Sequence, residues 1–379
     1  MRKLLFALSF VLIAAKPALA IEPPTTLATQ AFAMDFETGA TLYDKDGDKR
    51  MPTSSMSKVM TGIVVVDAIR NGTISMEQEL PVSEKAWSMQ GSKTFVDLNK
   101  PAKVSDMLHG VIIQSGNDAC IVLAEGIAGT EEAFAQLLNK KAAELGMKNS
   151  HFVNASGWPD PNHYSTPHDL AIMARALIRD YPEEYKIYSQ KEFTYNGIKQ
   201  GNRNPLLYSY PGADGVKTGH AEEAGYGVIG SAVMGDRRVI LVINGTQSMQ
   251  ERADESRKLM DWALRNFKNV EIAKKGTVYT EAPVVIGLAD KVPLTVAQNV
   301  KMTLPAMSDS NVKVQASFKG PLVAPVKAGE TVGELVIEIP NLPTQKIPLI
   351  TASAVEQKGF FARTFEKLLI RTVGTPKFS

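Results

Sequence analysis

The sequence predicts an α/β (α+β) fold in which an antiparallel sheet is flanked by helices, followed by a small all-β sandwich. Three observations carry this. Strand-like alternation occurs near residue 31 and again near residue 225, with helical periodicity between them. Near residue 269 the chain becomes rich in Val, Thr, Pro and Gly, with turn signals recurring about every ten residues. Its 379 residues leave room for two domains, and 44% hydrophobic with 22% charged residues is ordinary for a soluble globular chain.

The first twenty residues stand apart. Arg2 and Lys3 precede the apolar run "LLFALSFVLIAA", and "ALA" at 18–20 supplies small residues for cleavage after Ala20. Residues 1–20 therefore read as a secretory signal peptide. The run is too short to span a bilayer comfortably, which disfavours a retained anchor, and no cysteine follows it to accept a lipid. Without this segment the chain has 39 basic and 40 acidic residues, a net charge of −1. A near-neutral exported chain is a poor partner for nucleic acid.

Residues 31–43, "AFAMDFETGATLY", read as a hairpin around a Thr-Gly turn, and an apolar helix fits 54–70. Helices fit "SDMLHGVIIQ", "DACIVLAEGIAG" and "EEAFAQLLNKKAAELG", the last closed by Gly146, and another fits 168–179. Two strands in "GYGVIGSAVMGDRRVILVING" meet at a Gly-Asp turn, and an amphipathic helix fits 252–267. The expected organisation is thus a catalytic domain over 21–268, a β-sandwich over 269–355 and a terminal amphipathic helix over 356–379.

In that last segment Phe361, Phe365, Leu368, Leu369 and Thr372 share one side of a helical wheel, and Arg363, Lys367 and Arg371 the other. Phe360 and Ile370 fall off the apolar stripe. Five bases against Glu366 from Lys358 onward suit an anionic membrane surface. Docking on the chain's own domain is the alternative. The single cysteine, Cys120, allows no internal disulfide and reads as a small buried apolar residue. Five scattered histidines, with no HExxH or CxxC pattern, give no support for a metal or other cofactor.

Three polar motifs remain. Ser55 and Lys58 open the apolar helix three residues apart, on one face. A second S-x-x-K, Ser310 to Lys313, lies in a strand-like run, where positions three apart point to opposite faces. Ser115-Gly116-Asn117 falls between two helices, and Lys217-Thr218-Gly219 precedes the strand pair. Alone, the second motif is a capping turn and the third a strand end with a solvated lysine. Together, the order Ser-x-x-Lys, Ser-x-Asn, Lys-Thr-Gly is that of the serine penicillin-recognising enzymes.

These residue types suit acyl transfer. The Ser55 hydroxyl needs a base, and Lys58 is one only when neutral, a form favoured by burial and by a second cation such as Lys217. Ser115 is expected to bridge Lys58, Lys217 and the leaving nitrogen, and Asn117 to offer its amide to the substrate. Lys217 and Thr218 suit a carboxylate, and Gly219 leaves the strand edge open to an extended peptide. The N–H groups of Ser55 and His220 are candidate oxyanion donors, with no role required of the His220 side chain.

With "SSMSKVMT", "IIQSGNDAC", "YPEEYKIYSQKEFTYNGIKQGNRNPLL" and "DGVKTGHAEEAGYG", the chain resembles the D-alanyl-D-alanine carboxypeptidases of the type-5 low-molecular-mass penicillin-binding proteins, peptidase family S11, over nearly its whole length. The resemblance implies a β-lactamase/transpeptidase-like catalytic domain, a β-sandwich stalk and peripheral attachment to the periplasmic face of the inner membrane. It implies removal of the terminal D-alanine from peptidoglycan pentapeptides through an acyl-serine, the same serine being acylated by β-lactams, with roles in cell wall remodelling and cell shape. Residue by residue, the nucleophile falls on Ser55, the base on Lys58, the proton-relay serine on Ser115 and the carboxylate site on Lys217 and Thr218, with Arg252 as a second cation. Arg203 and Asp169 also fall on family-like segments, where structural salt bridges explain them equally well. The segment 83–100 is shorter than its family counterpart, so no deacylation rate or substrate range carries over.

A class A β-lactamase shares the three motifs and adds a glutamate in an E-x-x-x-N segment. "EFTYN", Glu192 to Asn196, lies only 25 residues before Lys217, too late for that loop, and a β-rich second domain argues against that class. Endopeptidase or transpeptidase activity uses the same chemistry. A non-catalytic cell-wall binder is disfavoured by intact Ser55 and Lys58.

Overall fold

A computed structural model describes residues 22–308, 312–340 and 343–373. The signal-peptide segment and Ser310 lie outside the described residues. The chain divides into two compact units, 23–269 and from 270 onward.

The first unit is built on a five-stranded antiparallel sheet. Its strands are β1 (Gln30–Asp35), β2 (Thr41–Lys45), β3 (Ala213–Ala221), β4 (Gly225–Met234) and β5 (Arg237–Thr246), in the order β2-β1-β5-β4-β3. The main helices are α1 (Lys58–Arg70), α2 (Asn117–Ala128), α3 (Glu131–Leu145), α4 (Pro167–Asp180) and α5 (Met249–Arg265). Strand alternation sends neighbouring side chains to two different cores. Phe32, Met34, Ile240 and Val242 pack with the helical layer of α1, α2 and α4. Ala31, Ala33, Leu241 and Ile243 pack against Leu259, Met260 and Ala263 of α5.

Every residue of β1 is consequently buried, and the hairpin expected over 31–43 forms between β1 and β2. Helices cover both faces, so the polar residues in β1 mark its ends. The two strands joined at Gly235-Asp236 form as expected, with Met234 paired to Arg237. Helix α1 is buried almost all round from Lys58 to Val66, as a helix at the centre of a layer must be. That placement takes Lys58 out of water.

The second unit is β-rich. Its strands are β6 (Phe267–Ala273), β7 (Thr280–Val285), β8 (Lys291–Val296), β9 (Val300–Pro305), β10 (Lys313–Phe318), β11 (Leu322–Val323), β12 (Thr331–Glu338) and β13 (Gln345–Thr351). A six-stranded sheet runs β10-β12-β13-β8-β7-β11, and β6 pairs with β9. Val284, Leu294, Leu335 and Leu349 form its main core.

Helix α6 (Phe360–Val373) ends the described chain. Glu366 accepts the Ile286 N–H at 2.8 Å and the Lys358 ammonium at 2.8 Å, and Arg363 donates to Gln357. The helix therefore docks on its own unit through its Arg363–Glu366–Ile370 side, while Phe361, Phe365 and Leu368 stay 87%, 66% and 60% exposed. Among the described residues no helix is long and apolar enough to cross a membrane.

Candidate active site

Residues 54–57 form one tight 3-10 turn that leads into α1, and Ser55 sits on it half-buried. The turn is held from two sides. Ser54 adopts a left-handed backbone (φ 47°). Gly157, also at positive φ, lies so close that a Cβ there would meet the Ser54 carbonyl oxygen at 1.9 Å. On the other side the strand edge approaches: a Cβ on Gly219 would come 2.9 Å from the Thr53 oxygen and 3.1 Å from Met56. Gly219 thus lets β3 lie directly against the turn that carries Ser55.

Lys58 is 1% exposed, and its Nζ has three partners. They are Ser55 Oγ at 2.9 Å, Asn117 Oδ1 at 2.7 Å and Ser156 O at 2.6 Å. Burial lowers the amine's pKa to about 8. Cys120 lies nearby, but burial pushes its thiol up to about 12, so it carries no countercharge at neutral pH.

Ser115 stands in a left-handed conformation (φ 62°, ψ 32°) where the helical segment 104–114 ends and α2 is about to begin. Its Oγ accepts from Lys217 Nζ at 3.0 Å. The expected bridge from Ser115 to Lys58 is not made. Lys58 is saturated by Ser55, Asn117 and Ser156, and Ser115 belongs to Lys217 alone. Asn117 does more than expected: Oδ1 serves Lys58, and Nδ2 donates to the Gln90 carbonyl at 2.8 Å. Its amide ties Lys58 to the loop after residue 88 and keeps a second Nδ2–H for a ligand. Asp118, fully buried, accepts the N–H groups of Thr94, Phe95 and Val96 and fixes that loop beside the site.

Lys217, Thr218 and Gly219 lie on β3, the outer strand of the sheet, and are buried. Lys217 donates to Ser115 Oγ and to Thr218 O. Burial, then the cations Lys58 and Arg203, lower its pKa well below the usual lysine value. Repulsion between the two amines thus falls on Lys217. The His220 side chain is exposed and stacks on Tyr226, with ring centroids 4.0 Å apart.

Arg252 enters from the first turn of α5, 5% exposed and lying over the Tyr226 ring at 5.7 Å. Its Nη2 donates to Arg203 O at 3.4 Å, while its buried Nε has no partner. Burial lowers its pKa to about 10. A buried guanidinium with an unused donor suits an incoming anion.

Neither Arg203 nor Asp169 joins a salt bridge among the described residues. Arg203 donates to Ser92 Oγ, and Asp169 accepts from Asn149 N and Ser150 Oγ. Glu192 is exposed on a hairpin and paired with Lys199 at 2.7 Å, away from the partners of Ser55 and Lys58. No group of three or more His, Cys, Asp or Glu side chains among the described residues is arranged to hold a metal ion.

Two supports were invisible in the sequence. The Ser156 carbonyl acts as backbone, so no side-chain signal marks it. His163 is buried, donates Nε2–H to Ser57 Oγ at 2.7 Å and accepts Val153 N–H on Nδ1 at 3.3 Å. Ser57 in turn bonds Thr53, closing a network beneath the turn.

The residues 18–248 match the family model for D-alanyl-D-alanine carboxypeptidase, and 267–357 match the C-terminal domain of penicillin-binding protein 5. The chain is 36% identical over 359 residues to the D-alanyl-D-alanine carboxypeptidase DacC of Escherichia coli K12, covering 93% of this chain and 90% of that protein. Penicillin-binding protein 5 from Haemophilus influenzae superposes with a TM-score of 0.84 at 36% identity, covering 89% of this chain and all of that one. Penicillin-binding protein D2 from Listeria monocytogenes, in its cefotaxime-bound form, superposes with a TM-score of 0.60 at 30% identity over 64% of this chain and all of that one.

Proposed function

The chain belongs to the D-alanyl-D-alanine carboxypeptidase family, and from that premise we propose that Ser55 is its acylated nucleophile and Lys58 the base that activates it. The protein is a serine-type D-Ala-D-Ala carboxypeptidase of peptidoglycan metabolism and a penicillin-binding protein.

The partner set of Lys58 carries the residue assignment. A neutral amine has two N–H donors and one lone pair. Asn117 Oδ1 and Ser156 O only accept, so they take both donors. The lone pair is left facing Ser55 Oγ, which then donates its proton to Lys58 across the 2.9 Å contact. Ser55 Oγ attacks the carbonyl carbon of the penultimate D-alanine, and the backbone N–H groups of Ser55 and His220 stabilise the oxyanion.

The C–N bond then breaks. Ser115 passes its proton to the departing amine and takes one back from the Lys217 ammonium that donates to its oxygen. The substrate carboxylate is held by Lys217, Thr218 and the unused Nε of Arg252, and its arrival restores the charged form of Lys217. Water then adds its hydroxyl to the acyl carbon and gives its proton to the Ser115–Lys217 pair, while Lys58 returns to Ser55 Oγ the proton it took, which breaks the ester and restores the site. A β-lactam opens against the same serine, in keeping with the cefotaxime-bound relative. Fluorescent penicillin labelling and D-alanine release from a pentapeptide test the assignment: both occur in wild type and vanish in Ser55→Ala.

The same reading has the chain exported, with residues 1–20 as signal and 21–268 as catalytic domain. It rests at the periplasmic face of the inner membrane through the helix after the 269–355 domain. The exposed apolar stripe of α6 supports that attachment.

A further inference from the structure

A cavity of about 730 Å³ lies beside the reacting groups without including them. Thr53 and Ser54 of the nucleophile turn form one wall, the 157–164 segment a second, and Ala221, Glu222 and Glu223, just past the end of β3, the third. Ser54 is 7% exposed, yet its hydroxyl has no partner. A buried unpaired hydroxyl on a cavity wall marks a place where a ligand group is accommodated.

The strand direction says which part of a substrate reaches it. β3 is the outer strand and runs from Ala213 to Ala221. A peptide added antiparallel to it, with its C-terminal carboxylate at Lys217 and Thr218, has its earlier residues running toward Ala221 and beyond. With the penultimate carbonyl at the His220 N–H, the residue before the D-Ala-D-Ala unit stands about 3.4 Å further on, level with Ala221, and a long side chain on it extends to Glu222 and Glu223.

The lining carries Asp160, Glu222 and Glu223 against one guanidinium, Arg50, which already lies over the Tyr164 ring at 4.4 Å. Asp160 spends an oxygen on the Asn162 N–H. Glu222 and Glu223 are exposed and join no ion pair among the described residues. The Trp158 ring, 43% exposed and seated against Gly91, adds an apolar wall for a long methylene chain.

We propose that this cavity is the subsite for the residue preceding D-Ala-D-Ala, and that Glu222 and Glu223 select a side chain ending in a free ammonium group. The proposal rests on the assignment of Ser55 and Lys58. Acylation of that amine makes it a neutral amide, so the enzyme favours peptides whose amine is still free.

The test compares D-alanine release from Nα-acetyl-L-Lys-D-Ala-D-Ala and from the same peptide with its ε-amine acetylated. Full-length wild type favours the free amine by about fivefold in kcat/KM at low salt, a size set by exposed ion pairs. In E222Q/E223Q the ratio falls toward one. Both peptides meet the same enzyme, so the ratio is independent of the fraction folded. A wild-type ratio of one, or a ratio unchanged in the double variant, overturns the subsite while leaving the carboxypeptidase assignment standing. No release from either peptide by wild type overturns both.

Discussion

Asn117 Oδ1 accepts from Lys58 Nζ at 2.7 Å, while the same amide donates to the Gln90 carbonyl at 2.8 Å. The middle motif is therefore a clamp on Lys58. One side chain ties α1 to the loop after residue 88 and leaves the lysine lone pair a single direction.

That clamp makes Asn117→Asp a sharp probe. The substitution keeps the acceptor but adds a negative charge, which favours the ammonium form of Lys58. Acylation by penicillin at pH 7 is expected to fall by about tenfold to a thousandfold, with the acid limb of its pH profile moved to higher pH, matching a shift of about one to three units for a close opposite charge. An unmoved limb removes Asn117 from control of the base.

In wild type the amine's pKa near 8 sets the acid limb directly. Lys58 acts only when deprotonated, so the second-order acylation rate rises with pH and reaches half its plateau near pH 8. Lys58→Met lacks a base altogether and is expected to lose at least about a thousandfold. Stopped-flow labelling across pH 6 to 10 checks both.

Gly157→Ala attacks the support of the nucleophile turn. Its Cβ would overlap the Ser54 oxygen at 1.9 Å, and its φ of 75° is strained for any side chain. A loss of about 3 kcal/mol or more is expected from overlap and backbone strain together. Urea unfolding measures it, and residual penicillin labelling of the folded fraction reports how far the turn has shifted.

How much of this was legible follows from what each feature depends on. Ser55, Lys58, Ser115, Asn117 and Lys217 were singled out because the proposed acyl transfer needs those side chains, and the structure brings them together. Their wiring could not be read, because it depends on which acceptor reaches Lys58 first, and one of those is the Ser156 backbone. The burial of β1 was hidden for a similar reason: alanines satisfy either face, and only the packing of α5 reveals that both are covered. His163 carried no signal, since a lone histidine in a loop looks the same whether buried or solvated.

His163 supplies an acid-stability prediction. Burial, then the nearby Lys58 charge, lower its pKa to about 4. The unfolded chain takes a proton near pH 6.5, before the folded one does, so stability is complete above 6.5 and drains away as pH falls through 4. The loss approaches roughly 3 kcal/mol at pH 4 and below. His163→Gln keeps a donor for Ser57 and an acceptor for Val153 without titrating, so the gap between the two proteins' pH-dependent stabilities isolates the effect. Parallel curves between pH 7 and 4 rule out His163 as the source.

The terminal helix divides its faces in a way that makes its role separable from folding. Glu366 binds Ile286 N–H and Lys358, so the polar side holds α6 to its own unit. The outward side shows Phe361, Phe365 and Leu368, whose exposure is far beyond what docking within the chain requires. Burial of such side chains in a bilayer interface contributes binding, and each nearby Lys or Arg adds about 1 kcal/mol against anionic lipid. Phe365→Glu with Leu368→Glu removes apolar contact and adds two repelled charges. Co-sedimentation with anionic vesicles is expected to drop at least about tenfold. Deletion of residues 358–379 is expected to abolish it, with D-alanine release in solution retained. Undiminished vesicle binding by the truncated chain assigns the membrane contact elsewhere.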